Sequence, residues 1–203
     1  GATVTIVVAG QTRTATNNGN GTWTLPDGSL SALADGTYNV AATATDSVGN
    51  AGTDGTSNEL IVDTTSPVLT VNTLATNDTR PPLSGTTSDL TAAVTVVVAG
   101  QTRTATNNGN GTWTLADNSL NAIAAGVYNV AASATDAAGN TGTDSTTNEL
   151  TIDVTAPTVT VNSLTTNDTT PALTGTVNDG GATISVTVAG QTRTATNNGN
   201  GTW

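Results

Sequence analysis

The residues in this chain best suited to chemistry are its carboxylates, and they return on a fixed schedule. Asp27, Asp46, Asp54, Glu59, Asp63, Asp78 and Asp89 recur as Asp117, Asp136, Asp144, Glu149, Asp153, Asp168 and Asp179, each 90 residues on. Only Asp35 has no such counterpart, because Ala125 stands in its place. Carboxylates that gather repel one another, and a hard cation with oxygen ligands removes that penalty. Calcium takes about six to eight oxygens in flexible geometry, so Asp, Asn and loop carbonyls suit it better than magnesium, which demands a tight octahedron. The competing reading is conformational. Asp and Asn hydrogen-bond nearby backbone and accept left-handed geometry, so a loop such as 135–140 is equally readable as a turn.

Other chemistries find little support. The chain has no histidine or cysteine, and its four basic residues are all arginine. The usual bases and nucleophiles are therefore missing, and no serine has a base partner in view. Paired acids alone could serve a glycosidase, but these lie in turn-rich segments rather than a cleft, so the chain is not expected to be an enzyme. A formal net charge of −11 repels nucleic acid and anionic lipid. Without cysteine there is no disulfide framework. No stretch approaches the ~18 apolar residues of a membrane-spanning helix, so no membrane insertion is expected of this segment.

The elements that must position the acids repeat too. Residues 9–23 (AGQTRTATNNGNGTW) return unchanged as 99–113 and as 189–203. A 90-residue period is too long for a solenoid unit and suits one small domain per repeat. The expected organisation is the C-terminal part of one repeat over 1–62, a complete repeat over 63–152, and the N-terminal part of a third over 153–203. The chain reads as an excerpt of a longer protein. Short alternating runs, separated by turn clusters, predict an all-β sandwich with essentially no helix. In the complete repeat, strands are expected near 68–73, 83–87, 94–99, 102–106, 112–115, 127–135 and 148–152, with Asn107–Asn108–Gly109–Asn110–Gly111 as a hairpin cluster. Tyr128, Val130, Ala132 and Ala134 would share the inward face. Aromatics are only 2% of the chain, so the core should be thin and open to reinforcement by a bound ion.

Several motifs then carry a resemblance. Gly126-Val127-Tyr128-Asn129-Val130 looks like the opening of strand F in an immunoglobulin-type sandwich, with Val130 where antibody domains place a cysteine. Asp-x-Thr-x-Pro occurs at 63–67 and 153–157, Thr-Asn-Asp-Thr-x-Pro at 76–81 and 166–171, and Ala-Thr-Asp-x-x-Gly-Asn at 44–50 and 134–140. With Asn-Gly-Thr-Trp, these resemble the bacterial Ig-like tandem repeats of giant RTX-type and biofilm-associated surface adhesins. The resemblance implies tandem immunoglobulin-like β-sandwich domains of about seven strands each. It also implies calcium at the interdomain linkers and an extracellular, cell-surface location.

Placed on that topology, Asp89 falls in the loop between strands B and C, and Asp136, Asn140 and Asp144 fall between F and G. Both loops belong to the end where the chain arrives through Asp63. A calcium site from Asp63, Asp89, Asp136, Asn140 and Asp144 is therefore expected at the first junction, and a partial one from Asp153 and Asp179 at the second. Asp78 and Asp168 are read as turn residues. The functional expectation is a structural extender, a stalk whose partners are its own neighbouring repeats. The alternative is a module in which each repeat binds glycan or matrix protein weakly and the copies supply avidity.

Overall fold

The computed structural model describes residues 1–203 and contains strands, turns and loops without any helix. The chain divides into two compact units, Gly1–Ile152 and Asp153–Trp203. In the first unit, the strands before residue 63 pair only among themselves. They are β1 (Thr3–Val8), β2 (Gln11–Asn17), β3 (Trp23–Thr24), β4 (Gly36–Tyr38), β5 (Val40–Thr45), β6 (Ala51–Thr53) and β7 (Leu60–Val62). They form one sheet in the order β3-β2-β1-β5-β6 and a second of β4-β7.

The rest of the first unit is the bead that spans one complete 90-residue period of the sequence. Its strands are β8 (Leu69–Val71), β9 (Leu74–Thr76), β10 (Leu83–Thr87), β11 (Ala93–Val98), β12 (Gln101–Asn107), β13 (Thr112–Leu115), β14 (Gly126–Tyr128), β15 (Val130–Thr135), β16 (Thr141–Thr143) and β17 (Leu150–Ile152). They pair as β16-β15-β11-β12-β13-β10-β8 and as β14-β17-β9. Alternation decides which way each strand faces: Val94, Val96 and Val98 are buried while Val97 is exposed. Val130, Ala132 and Ala134 are buried and Tyr128 is half-buried, as their spacing predicts. The Tyr128 hydroxyl donates to Ala124 O at 3.0 Å, the back-bonded tyrosine that marks the start of strand F in immunoglobulin sandwiches.

Ten strands appear where about seven are expected, because long strands are broken and short ones added. The 127–135 strand is interrupted at Asn129: β14 pairs with β17, whereas β15 pairs with β11 and β16. The break turns the Val130 N–H away from the ladder, and Glu149 Oε2 accepts it at 2.9 Å. Glu149 is buried, a rare position for a carboxylate unless it is bonded. Strands β9 and β16 went unforeseen. Strand β9 pairs in parallel with β17.

The core is also larger than the strands alone supply. Leu120 and Ile123, from the segment between β13 and β14, are buried in it. That segment is tied down by β12. Gln101 Oε1 accepts Asn121 N at 2.7 Å, Gln101 Nε2 donates to Asn121 O at 3.1 Å, and Arg103 Nε donates to Ser119 O at 2.7 Å.

The second unit has β18 (Val159–Val161) paired with β19 (Gly175–Val177), and β20 (Ile184–Val188) paired with β21 (Gln191–Ala195). Its buried hydrophobic cluster is Val177, Ile184 and Trp203.

Ala99 and Gly100 form the two-residue turn from β11 to β12, with φ of 48° and 73°. Both central residues of a type I′ turn need positive φ, which Asn and Gly accept and alanine resists. Ala99→Asn should therefore raise stability by about 0.5–1 kcal/mol, read as a shift in the denaturant midpoint at constant slope.

Candidate functional site

The linker 63–67 leaves β7 and leads to β8, and two acid-bearing loops of the complete bead meet it. The first lies between β10 and β11. Asp89 Oδ1 accepts from Thr91 N at 2.7 Å, Thr91 Oγ1 at 2.8 Å and Ala92 N at 3.2 Å. Asn107, at the end of β12, fixes this loop from outside by donating Nδ2 to Asp89 O at 2.9 Å and to Ala92 O at 3.0 Å. The second loop follows β15. There Asp136 Oδ1 accepts from Asn140 N at 2.8 Å, and Asp136 Oδ2 from Asn140 Nδ2 at 2.9 Å. The same Asn140 amide donates to Asp63 O at 2.9 Å.

Asp63, Asp89 and Asp136 thus line one recess of about 410 Å³, together with residues of the linker and of the Asp89 loop. Hydrogen bonding favours the ionised form of Asp89 and Asp136. The Asn140 side chain, then its backbone N–H, hold Asp136 below the ordinary value of 3.8 against desolvation. The Thr91 N–H and hydroxyl do the same for Asp89, while desolvation and the nearby Asp136 charge push the other way.

The donor chemistry of this recess fits a hard cation. Every hydrogen bond to the Asp89 carboxylate, and the one to the Asp63 carboxylate, goes to Oδ1, which leaves both Oδ2 atoms without a protein donor. The three acids do not, however, close to a cluster within common coordinating reach. Asp144 stands apart from the recess: its N–H bonds Ala132 O at 3.0 Å, and its Oδ2 accepts from Thr146 N and Oγ1. In the second unit, Asp153 Oδ1 accepts from Thr155 N and Asp179 Oδ1 from Gly181 N, both at 2.8 Å. Asn197 there holds Asp179 O as Asn107 holds Asp89 O.

The turn reading is also correct locally. Asp46 makes the same bonds to Asn50 N and Nδ2, at 2.8 Å each, in a loop that meets no preceding linker. Asp78 and Asp168 each accept from the backbone N–H two residues on, at 2.8 Å. The loop is self-supporting, and the linker docks on a structure already formed.

Two contributors were missed. A Cβ added to Gly142, in β16, would lie 1.7 Å from Pro67 O, whereas at Gly52, its counterpart 90 residues earlier, it would meet nothing within 4 Å. A glycine inside a strand often marks such a backbone approach, and that was its signal. Asp35 is the second. Its Oδ1 accepts from Thr64 N at 3.0 Å and Thr64 Oγ1 at 2.8 Å, and its Oδ2 from Thr65 Oγ1 at 2.9 Å.

The paired sheets, the back-bonded tyrosine and the parallel β9–β17 pairing define an immunoglobulin-like sandwich. The chain belongs to the bacterial Ig-like domain family, which it matches over residues 1–64 and again over 70–154. No curated protein matches it. Among solved structures, it is 30% identical to a tetra-tandem repeat from the extending region of a large adhesion protein, with a TM-score of 0.42, covering 100% of this chain and 56% of that one. It is 29% identical, with the same TM-score and the same shares covered, to a Ca2+-stabilised adhesin with which an Antarctic bacterium reaches out and binds ice. A third, a 1.5-MDa bacterial ice-binding adhesin described for its retention at the host cell surface, is 26% identical with a TM-score of 0.39, covering 100% of this chain and 73% of that one. The chain spans about half the length of the first two.

Removing the Asn140 amide should raise the Asp136 pKa, since that side chain is the main cause of its depression. Because the folded value lies below 3.8, the bond favours the ordered junction above about pH 4, and the benefit is lost as pH falls through the folded value. Carboxyl-carbon NMR titration of Asn140→Ala should show Asp136 moving upward and Asp46 unmoved. Gly142→Ala should displace the linker and destabilise the complete bead by about 1–3 kcal/mol on chemical denaturation.

Proposed function

We propose that this chain is a structural extender segment of a bacterial surface adhesin, carried outside the cell as an array of 90-residue beads and stiffened by calcium at the acidic junctions. The observation that carries the reading is the seating of the linker. Five residues, 63–67, join two sets of sheets, and the side chain that orders the Asp136 loop also bonds the linker backbone at Asp63 O. A short, docked connection repeated at constant spacing is what length requires. Strands of this size, with their loops, give about 35–40 Å per bead.

Calcium is the cation the donors suit. Asp63, Asp89 and Asp136 would supply carboxylate oxygens at the first junction, with Asn140 positioning Asp136 and water completing the shell. Asp153 and Asp179 would begin the equivalent set at the next junction. Asp144 serves its own turn.

A multivalent binding role draws less support. Trp113 is fully buried, and Tyr128 spends its hydroxyl on Ala124 O, so neither offers a stacking platform to a sugar. Catalysis draws none, because the chain has no histidine, cysteine or lysine to act as base or nucleophile.

Calcium against EDTA tests the reading. With free calcium near 100 times its Kd, linkage adds about 2.7 kcal/mol to a bead that binds one ion, a rise of order 10 °C in Tm for a domain of this size. Small-angle scattering should show the 203-residue chain lengthening and narrowing in conformational spread, and Asp89→Asn should abolish both responses. Profiles and melting curves indifferent to calcium would sink the metal part of the proposal.

A further inference from the structure

We propose that the 63–67 linker is latched, without a metal, to the bead before it through Asp35, and that the 153–157 linker, with Ala125 and Val154 at the corresponding positions, cannot form this latch. This deepens the extender reading, on which its role in setting stiffness rests. The latch itself is a set of hydrogen bonds.

Strand β4 pairs with β7, and the last rung of that ladder is Gly36 opposite Val62. The residue just before β4 is Asp35. Its carboxylate reaches past the end of the ladder and takes three donors from the linker: Thr64 N at 3.0 Å, Thr64 Oγ1 at 2.8 Å and Thr65 Oγ1 at 2.9 Å. Three donors on one ionised group form a charge-assisted set, stronger than neutral pairs and more restrictive in geometry. The linker is thereby gripped beyond the point where the sheet ends.

The following bead grips the other side. Asn140 bonds Asp63 O, Pro67 O occupies the space a Cβ on Gly142 would fill, and Ser88 Oγ accepts the Val68 N–H at 2.8 Å. Of residues 63–68, only Ser66 and Pro67 lack a hydrogen bond to either bead. A peptide held at most of its residues has few torsions left through which to bend.

The internal repeat supplies the second, independent observation. Position 125 is alanine where 35 is aspartate, and position 154 is valine where 64 is threonine. Asp35 is the one acid with no counterpart, and the threonine it holds most firmly is replaced in the same copy. Neither Ala125 nor Val154 carries a polar side-chain atom, so acceptor and hydroxyl donor are lost together. Thr155 keeps the place of Thr65 but has no carboxylate at position 125 to meet.

The full chain in EDTA tests this. Nitroxide labels at V7C and V97C, both outward-facing on strands, report the spread of distances across the first joint. The D35A and T64V variants should each broaden that distribution about twofold, and D35A should speed amide exchange at Thr64 about tenfold. The melting temperature of the complete bead should stay put, which separates a loosened joint from a damaged fold. Conversely, A125D/V154T should slow exchange of the amide at position 154 about tenfold. An unchanged distance distribution in D35A overturns the proposal, whether or not exchange at Thr64 accelerates, because the bonds would then not govern the joint. A double variant that leaves position 154 unprotected overturns the pair as the difference between the joints. Indifference to calcium with the Asp35 effect intact would remove the metal and leave the latch standing.

Discussion

A buried indole N–H must find an acceptor, and the complete bead is organised by that need. Trp113 is fully buried between the sheets, and its Nε1 donates to Thr70 O at 2.9 Å. Strand β8 must therefore pair beside β10, on the side away from β13, so that the indole reaches across β10 to meet it. The indole can do so because Gly85 sits opposite Trp113 in the register: a Cβ there would lie 1.9 Å from Thr70 O and 2.6 Å from Nε1. The chain contains its own control. Trp23 occupies the same place in the repeat, but residues 1–62 hold no counterpart of β8 and β10, and it is 42% exposed. Trp203 has those counterparts, bonds Thr160 O and is 6% exposed. An identical segment is thus core or surface according to whether two strands from the other end of the repeat cover it.

The recurring 15-residue segment does more than supply the tryptophan. Gln101 and Arg103 fasten the loop that delivers Leu120 and Ile123 to the core, and Asn107 fastens the loop that presents Asp89. With aromatics at 2% of the chain, such side-chain bonds to distant backbone fix geometry that bulkier cores fix by packing.

The architecture was legible because its signals are local. Alternation placed β10, β11, β12 and β13 to within a residue, and the Gly-x-Tyr step placed the start of strand F. What escaped depended on partners distant in sequence. The break at Asn129 follows from the two halves of the 127–135 strand pairing with different partners, β14 with β17 and β15 with β11. The burial of Leu120 and Ile123 accompanies bonds from Gln101 and Arg103, some 16–20 residues away, to their segment. At the candidate site, the approach of Asp63, Asp89 and Asp136 was foreseeable once the topology was assumed. The separation of Asp144 was not, because a short strand, β16, intervenes and turns it toward Thr146. Gly142 and Asp35 stood out in the sequence, one as a glycine within a strand and one as an acid without a copy. Neither oddity had a meaning until the linker lay beside it.

One pairing described above bears on how such a bead would carry load. Strand β9 lies close to where the chain comes into the bead, and β17 is where it goes out, and the two run parallel through Leu74, Ala75 and Thr76 against Leu150, Thr151 and Ile152. Tension between the two termini of the bead would draw these strands in opposite directions along their length. The backbone bonds between them would then be sheared together rather than peeled one at a time. The rupture force would scale with the whole patch, and the bead would fail abruptly and late instead of unravelling under a gentle pull.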